Sequence, residues 1–291
     1  MEPLDLVKLT ALMERTSGSP EVKIGLIDGP VVIKHLDLAS GHLREIPGNN
    51  SATCTQANST ACLHGTFIAG ILSATRNSPA PAICPSCTLL IRPIFAETTA
   101  GREHMPSATP QELAAAIIEC IDAGARVINL SLALAQPSTK GEQALEEALN
   151  QAVRRGVIVV AAAGNQGTLG SSAIIRHPWV IPVVACNLAG IPTNESNLGG
   201  SIGRRGLCAP GDGITSLGPE GQSLTLGGTS VAVPFVTGTI ALLWSEFPAA
   251  SAAQIKLAIT QASPPRRASV VPPLLDAAAA YQILLTANAR R

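Results

Sequence analysis

The sequence predicts an α/β protein: a doubly wound, mostly parallel sheet with helices on both faces. Three observations point there. Short, nearly unbroken apolar runs recur along the chain, as they do in strands covered on both faces. Between them lie stretches with helical caps and glycine stops. Small or polar residues directly follow several of the runs, and that is where α/β folds carry their functional groups.

The elements follow in order. Residues 1–20, MEPLDLVKLTALMERTSGSP, read as a short helix and a Ser-Gly-Ser-Pro linker. Val22 to Ile27 is a strand that ends at Asp28-Gly29-Pro30. The polar, turn-rich stretch 40–62 reads as a loop, and a helix is expected from His64 to about Thr75. A Pro-rich connection leads to a strand from Leu89 to Ile94. Thr109-Pro110-Gln111-Glu112 is a capping box with proline at the first helical position, and its helix stops at Gly124. RVINLSL is the next strand, GEQALEEALNQAVRRG the next helix, and VIVVAAAGN a strand ending at Gly164-Asn165. VIPVVAC and the segment Leu207 to Ala209 add further strands. GTSVAVPFVTGTIALLWSEF turns from a Gly-rich bend into a buried helix, and 251–262 and 273–286 are terminal helices. No internal repeat and no break between domains is visible.

Composition narrows the function. Twenty Lys plus Arg balance twenty Asp plus Glu, so no basic surface is available for nucleic acid. Two Trp, one Tyr and four Phe leave little for stacking on single-stranded bases. The mean hydropathy is +0.30, yet charges and prolines break every apolar run before membrane-spanning length, so no membrane segment is expected. The amphipathic N-terminus lacks a basic start followed by an apolar block, which points to a cytoplasmic address. Seven cysteines, an odd number, argue against a disulfide framework. Cys54, Cys62, Cys84 and Cys87 leave three readings open: free loop thiols, local disulfides, or a zinc site of irregular spacing. Free thiols are the plain expectation. Cys120 and Cys186 sit on apolar faces and belong to the core.

Four positions combine into one chemistry. Acyl transfer by serine needs a hydroxyl, an imidazole to take its proton, a carboxylate to orient the imidazole, and donors for the oxyanion. Asp28, His64, Asn165 and Ser230 supply these in chain order. Taken singly, each has a bland reading: a strand-end Asp, a helix-start His, a turn Asn, an N-cap Ser. Together they match the Asp, His, Ser order of subtilisin. Gly227-Gly228-Thr229 leaves the Ser230 hydroxyl open and directs its backbone N–H toward an oxyanion, with the Asn165 amide as second donor.

These segments, GLIDGPV, CLHGTFIAGIL, INLSLA, VAAAGNQG and GGTSVAVPFVTGTIALL, resemble the subtilases, the subtilisin-like serine proteases. The resemblance runs from residue 22 to about 247 and implies one catalytic domain over 21–291. It implies that Asp28 orients, His64 is general base and acid, Ser230 is the nucleophile, and Asn165 holds the oxyanion. It also implies a peptide or protein substrate bound as an extended strand against Ser131, Leu132 and Ala133, with Ala162, Ala163 and Gly164 lining the pocket for the residue before the scissile bond. Ala133 stands where many subtilases carry glycine, which narrows the cleft. Phe67 replaces the second histidine of an HGTH motif. ATRNSPAPAICPSC offers few acidic oxygens, so no calcium site, no other metal and no cofactor is expected.

Within the family, IDGPV and CTLLIRPIF are most similar to the cyanobactin maturation proteases, which remove leader peptides from ribosomally made precursors. The expectation is a serine endopeptidase acting on a specific precursor by hydrolysis. Two alternatives stand beside it: a general degradative subtilase, and a catalytically silent subtilase-like scaffold.

Overall fold

The computed structural model describes residues 1–48, 51–97, 108–132, 142–262 and 269–289. Ala133 therefore lies outside the described residues. In chain order the elements are α1 (Pro3–Leu6), α2 (Thr10–Arg15), β1 (Lys23–Asp28), β2 (Leu43–Glu45), α3 (Thr60–Ser73), β3 (Thr88–Pro93), α4 (Pro110–Asp122), β4 (Val127–Leu130), α5 (Glu142–Arg155) and β5 (Ile158–Ala162). They continue with α6 (Ala173–Arg176), β6 (Ile181–Cys186), α7 (Gly200–Arg205), β7 (Leu207–Pro210), β8 (Ile214–Leu217), β9 (Ser223–Leu226), α8 (Thr229–Glu246), α9 (Ala252–Gln261) and α10 (Ala277–Ala289).

Seven strands form one sheet in the order β2-β3-β1-β4-β5-β6-β7. Every neighbouring pair is parallel. The chain leaves β1 toward one edge, then returns past it and grows β4 to β7 on the other side. The carboxyl ends of β1, β4 and β5 thus lie side by side where the winding reverses, the usual place for a site in such a sheet. The mostly parallel, doubly wound α/β architecture is the one the apolar runs predict.

Alternation along each strand builds two cores. Ile24 and Leu26 of β1 join Val160, Val183, Phe67 and Phe235 on the face covered by α3 and α8. Ile27 joins Ile128, Val159, Ile117 and Leu149 on the face covered by α4 and α5. Cys120 of α4 seats against Gly25, where a Cβ would fall 2.9 Å from its sulfur. Burial pushes the Cys120 and Cys186 thiols up to about 12, so both behave as core hydrophobes. α8 is buried along nearly its whole length, and Trp244 within it donates its indole N–H to the Ala250 carbonyl at 2.9 Å.

Several expectations shift. β2 and the antiparallel hairpin β8–β9 were not read from the sequence, nor were α6 and α7. β2 has three residues and lies at a sheet edge, too short for a periodic signal. The segment 1–20 holds two helices, and Val7 and Leu9 in the turn between them are fully buried. The Ala277 backbone N–H reaches the Val7 carbonyl at 3.0 Å, tying this segment to the start of α10. Phe67 is a fully buried core residue.

Candidate active site

Asp28 closes β1 and is fully buried. Its Oδ1 accepts the Gly29 backbone N–H at 2.6 Å and the His64 Nδ1–H at 2.7 Å. Nδ1 is the donor because an ionised carboxylate only accepts, and this leaves the lone pair of Nε2 free. Burial by itself would lower the His64 pKa. The charge and hydrogen bond of Asp28 outweigh it and raise the imidazole above 6.5.

The helix that carries His64 starts earlier than the sequence predicts. Ser59 is the N-cap, accepting the Cys62 N–H at 3.1 Å, so His64 lies in the second turn of α3. Ser59 sits inside the polar 40–62 stretch, where its capping signal is masked by other turn formers. Gly65 explains how α3 comes so near β1. A Cβ there would lie 2.4 Å from the Gly29 carbonyl oxygen and 2.5 Å from that of Pro30. Only glycine allows this approach, and the approach brings the imidazole to Asp28.

A second set of bonds holds the start of α8. Gly228, the N-cap, has φ +120°, a conformation that favours glycine. The Thr229 N–H and hydroxyl both donate to Asn165 Oδ1 at 2.9 Å, and the Gly164 N–H donates to Thr229 Oγ1 at 3.2 Å. The Asn165 Nδ2–H₂ group lies beside the N-cap, where a Cβ on Gly228 would fall 3.0 Å from it. Among the described residues the half-buried Ser230 hydroxyl makes no hydrogen bond to His64. Such bonds are often loose before substrate binds.

Pro234 creates a need that Ser131 fills. In α8 the N–H of residue 234 would bond the Ser230 carbonyl, but proline has no N–H. The Ser131 hydroxyl donates to that carbonyl instead, at 3.0 Å. Ser131 in turn accepts from Asn129 Nδ2 at 2.7 Å, and Asn129 Oδ1 accepts from the Thr237 hydroxyl at 3.0 Å. All three side chains are buried. Thr229, Asn129, Thr237 and Pro234 were not singled out from sequence. The readable signal was a proline inside a helical run, four residues after the serine.

The described residues among those expected to bind substrate are all buried. Ser131 has its side chain committed to α8, and Leu132, Ala162 and Ala163 are buried. Gly164 is buried at φ +105°.

The cysteines depart from the plain expectation. Cys54 and Cys62 form a disulfide, so the free-thiol reading fails at this pair. Cys62 at the third position of α3 and Cys54 on the neighbouring loop place their Cα atoms 5.6 Å apart, within bridging range, and spacing alone could not show this. Cys84 and Cys87 are free and fully buried. Their mutual hydrogen bond and burial push the Cys84 thiol up.

The profile of the subtilase family matches residues 19–281. The chain is 30% identical over 257 residues to a subtilisin of Bacillus pumilus, covering 86% of each. Among solved structures, the protease domain of PatA superposes with a TM-score of 0.84 at 28% identity, covering 93% of this chain and 97% of that one. The prenylagaramide maturation protease PagA does so with 0.81 at 27%, covering 95% and 98%. The chain belongs to the subtilase family of serine endopeptidases.

Proposed function

We propose that Asp28, His64 and Ser230 form the catalytic triad, with Asn165 as oxyanion donor, and that the enzyme removes a leader from a specific precursor peptide. The observation that carries the first part is the buried Asp28–His64 hydrogen bond at 2.7 Å, with Nε2 left free. His64 Nε2 takes the Ser230 proton as Oγ attacks the scissile carbonyl. The oxyanion is met by Asn165 Nδ2 and by the Ser230 backbone N–H, which is unpaired within the helix at its first turn. As the tetrahedral intermediate collapses, His64 returns the proton to the leaving amine. Water then releases the acyl group by the same route. The substrate lies extended along the backbone of 131–133 on one side, with 162–164 lining the pocket.

Leader removal is supported by the likeness to PatA and PagA, the latter named as a maturation protease. A cytoplasmic address fits processing where precursors are made. The Cys54–Cys62 bridge is the feature that favours an oxidising compartment instead. Among the described residues no helix is long and apolar enough to cross a membrane. A fluorophosphonate should label the wild type and not Ser230→Ala. Absence of labelling in a folded sample would favour a silent scaffold. Rates measured on precursor-like and generic peptides test the rest: equal turnover of casein and of leader-bearing peptides favours a degradative enzyme.

A further inference from the structure

We propose that Cys54, Cys62 and Glu97, once the disulfide is reduced, form a site for a thiophilic divalent cation of the Zn²⁺ type at the rim of the catalytic seam. The two sulfurs and a Glu97 carboxylate oxygen all lie within 4.8 Å of one another. Among the described residues no other three metal-binding side chains come so close. Thiolates and a carboxylate are ordinary zinc donors. Zinc bond lengths set tetrahedral ligand atoms roughly 3.5–4 Å apart, so opening the S–S bond is the main movement required.

The surroundings favour the site. Cys62 is fully buried at the third position of α3, so its sulfur is held in place by the helix. Cys54 and Glu97 are half-buried, which gives a reductant access and leaves room for water as fourth ligand. Glu97 is already oriented. Its carboxylate accepts the Thr55 N–H, the Thr55 hydroxyl and the Gln56 N–H, as outer partners do for metal-bound carboxylates. The Thr55 N–H is shared between both oxygens, so each already accepts two bonds, and a cation takes the place of one of them.

The chemistry balances with a dithiol reductant. It gives two electrons and two protons to the Cys54–Cys62 bond and becomes a disulfide itself. The cation then displaces both thiol protons. The site also touches the catalytic seam. The Cys54 N–H donates to the Val31 carbonyl at 3.1 Å, directly after the Gly29-Pro30 turn on which Gly65 rests, and Cys62 is two residues before His64.

The test is metal binding to the whole protein, read without turnover, so it stands or falls apart from the peptidase reading. Phosphine-reduced, metal-free protein should take up one equivalent of Co²⁺ with a thiolate-to-cobalt charge-transfer band, and Zn²⁺ should displace it. The oxidised protein should take up none. Cys54→Ser should abolish the band. Glu97→Gln, which keeps the disulfide and both sulfurs, should weaken Zn²⁺ at least about tenfold. Equal uptake by oxidised and reduced protein overturns the proposal. So does unchanged affinity in either variant, or a signal lost in Cys84→Ser instead.

Discussion

Two helix starts meet at the site, and they are secured by opposite means. The first turns of α3, which carry His64, are stapled by the Cys54–Cys62 disulfide and a polar rim around Glu97. The start of α8, which carries Ser230, is held by hydrogen bonds alone, from Asn165, Thr229, Ser131 and, behind them, Asn129 and Thr237. In the α8 anchor Asn129, Ser131, Thr229 and Thr237 are buried and bonded to one another or to the helix, while Asn165 is exposed. The α3 anchor is buried at Cys62 and half-buried at Cys54 and Glu97, so its outer side is open to reductants and cations.

The sharpest break in the α8 half is Ser230→Ala. Turnover should fall on the order of 10⁶-fold, the size known for subtilisin itself, while peptide binding persists. On the α3 half, Asp28→Asn should cost on the order of 10⁴-fold through the wrong imidazole tautomer. In the wild type the acid limb of kcat/KM should lie above 6.5, because Asp28 raises His64. In Asp28→Asn burial is left unopposed, and the limb should move to lower pH. The same shift acts on folding: the stability gained from protonated His64 is fully present below 6.5 and is lost as pH rises through the raised value.

Asn165→Ala should lower kcat about 10²–10³-fold with little change in KM, since the amide acts on the oxyanion. Failure to see that split would remove Asn165 from the oxyanion site. Smaller effects sharpen the contrast between anchors. Reducing Cys54–Cys62, with a sequence separation of 8, should lower unfolding stability by about 2–3 kcal/mol, measured in denaturant, and loosen α3 while leaving α8 protected in hydrogen exchange. Finally, Ser131→Ala leaves the Ser230 carbonyl without its donor, and Pro234→Ala supplies an N–H to the same atom. A double-mutant cycle should show the second change compensating the first by about 1 kcal/mol. Strict additivity would mean that Ser131 does not serve that carbonyl.

Long apolar runs and capped helices made the fold legible, because strand and helix periods are local properties. The Thr109 capping box and the end of β1 at Asp28 were readable for that reason, whereas β5 stops at Ala162, three residues before the expected Asn165. Elements lacking such signals were not: β2 is three residues long, and the Ser59 cap is hidden in a polar stretch. The resemblance pointed to Ser131 as a substrate contact; that its hydroxyl serves the Ser230 carbonyl, 99 residues away in the chain, carries no local signal.

The sequence by itself determined the fold class, most strands and long helices of the sheet and the four residues proposed for the chemistry, since residue type and local periodicity encode these. Tertiary structure alone decided that Gly65 lets α3 rest on the β1 turn, that Ser131 replaces the bond Pro234 removes, and that Cys54 finds Cys62 beside Glu97. Each of these is a through-space distance between segments, and such distances are fixed only once both cores have packed.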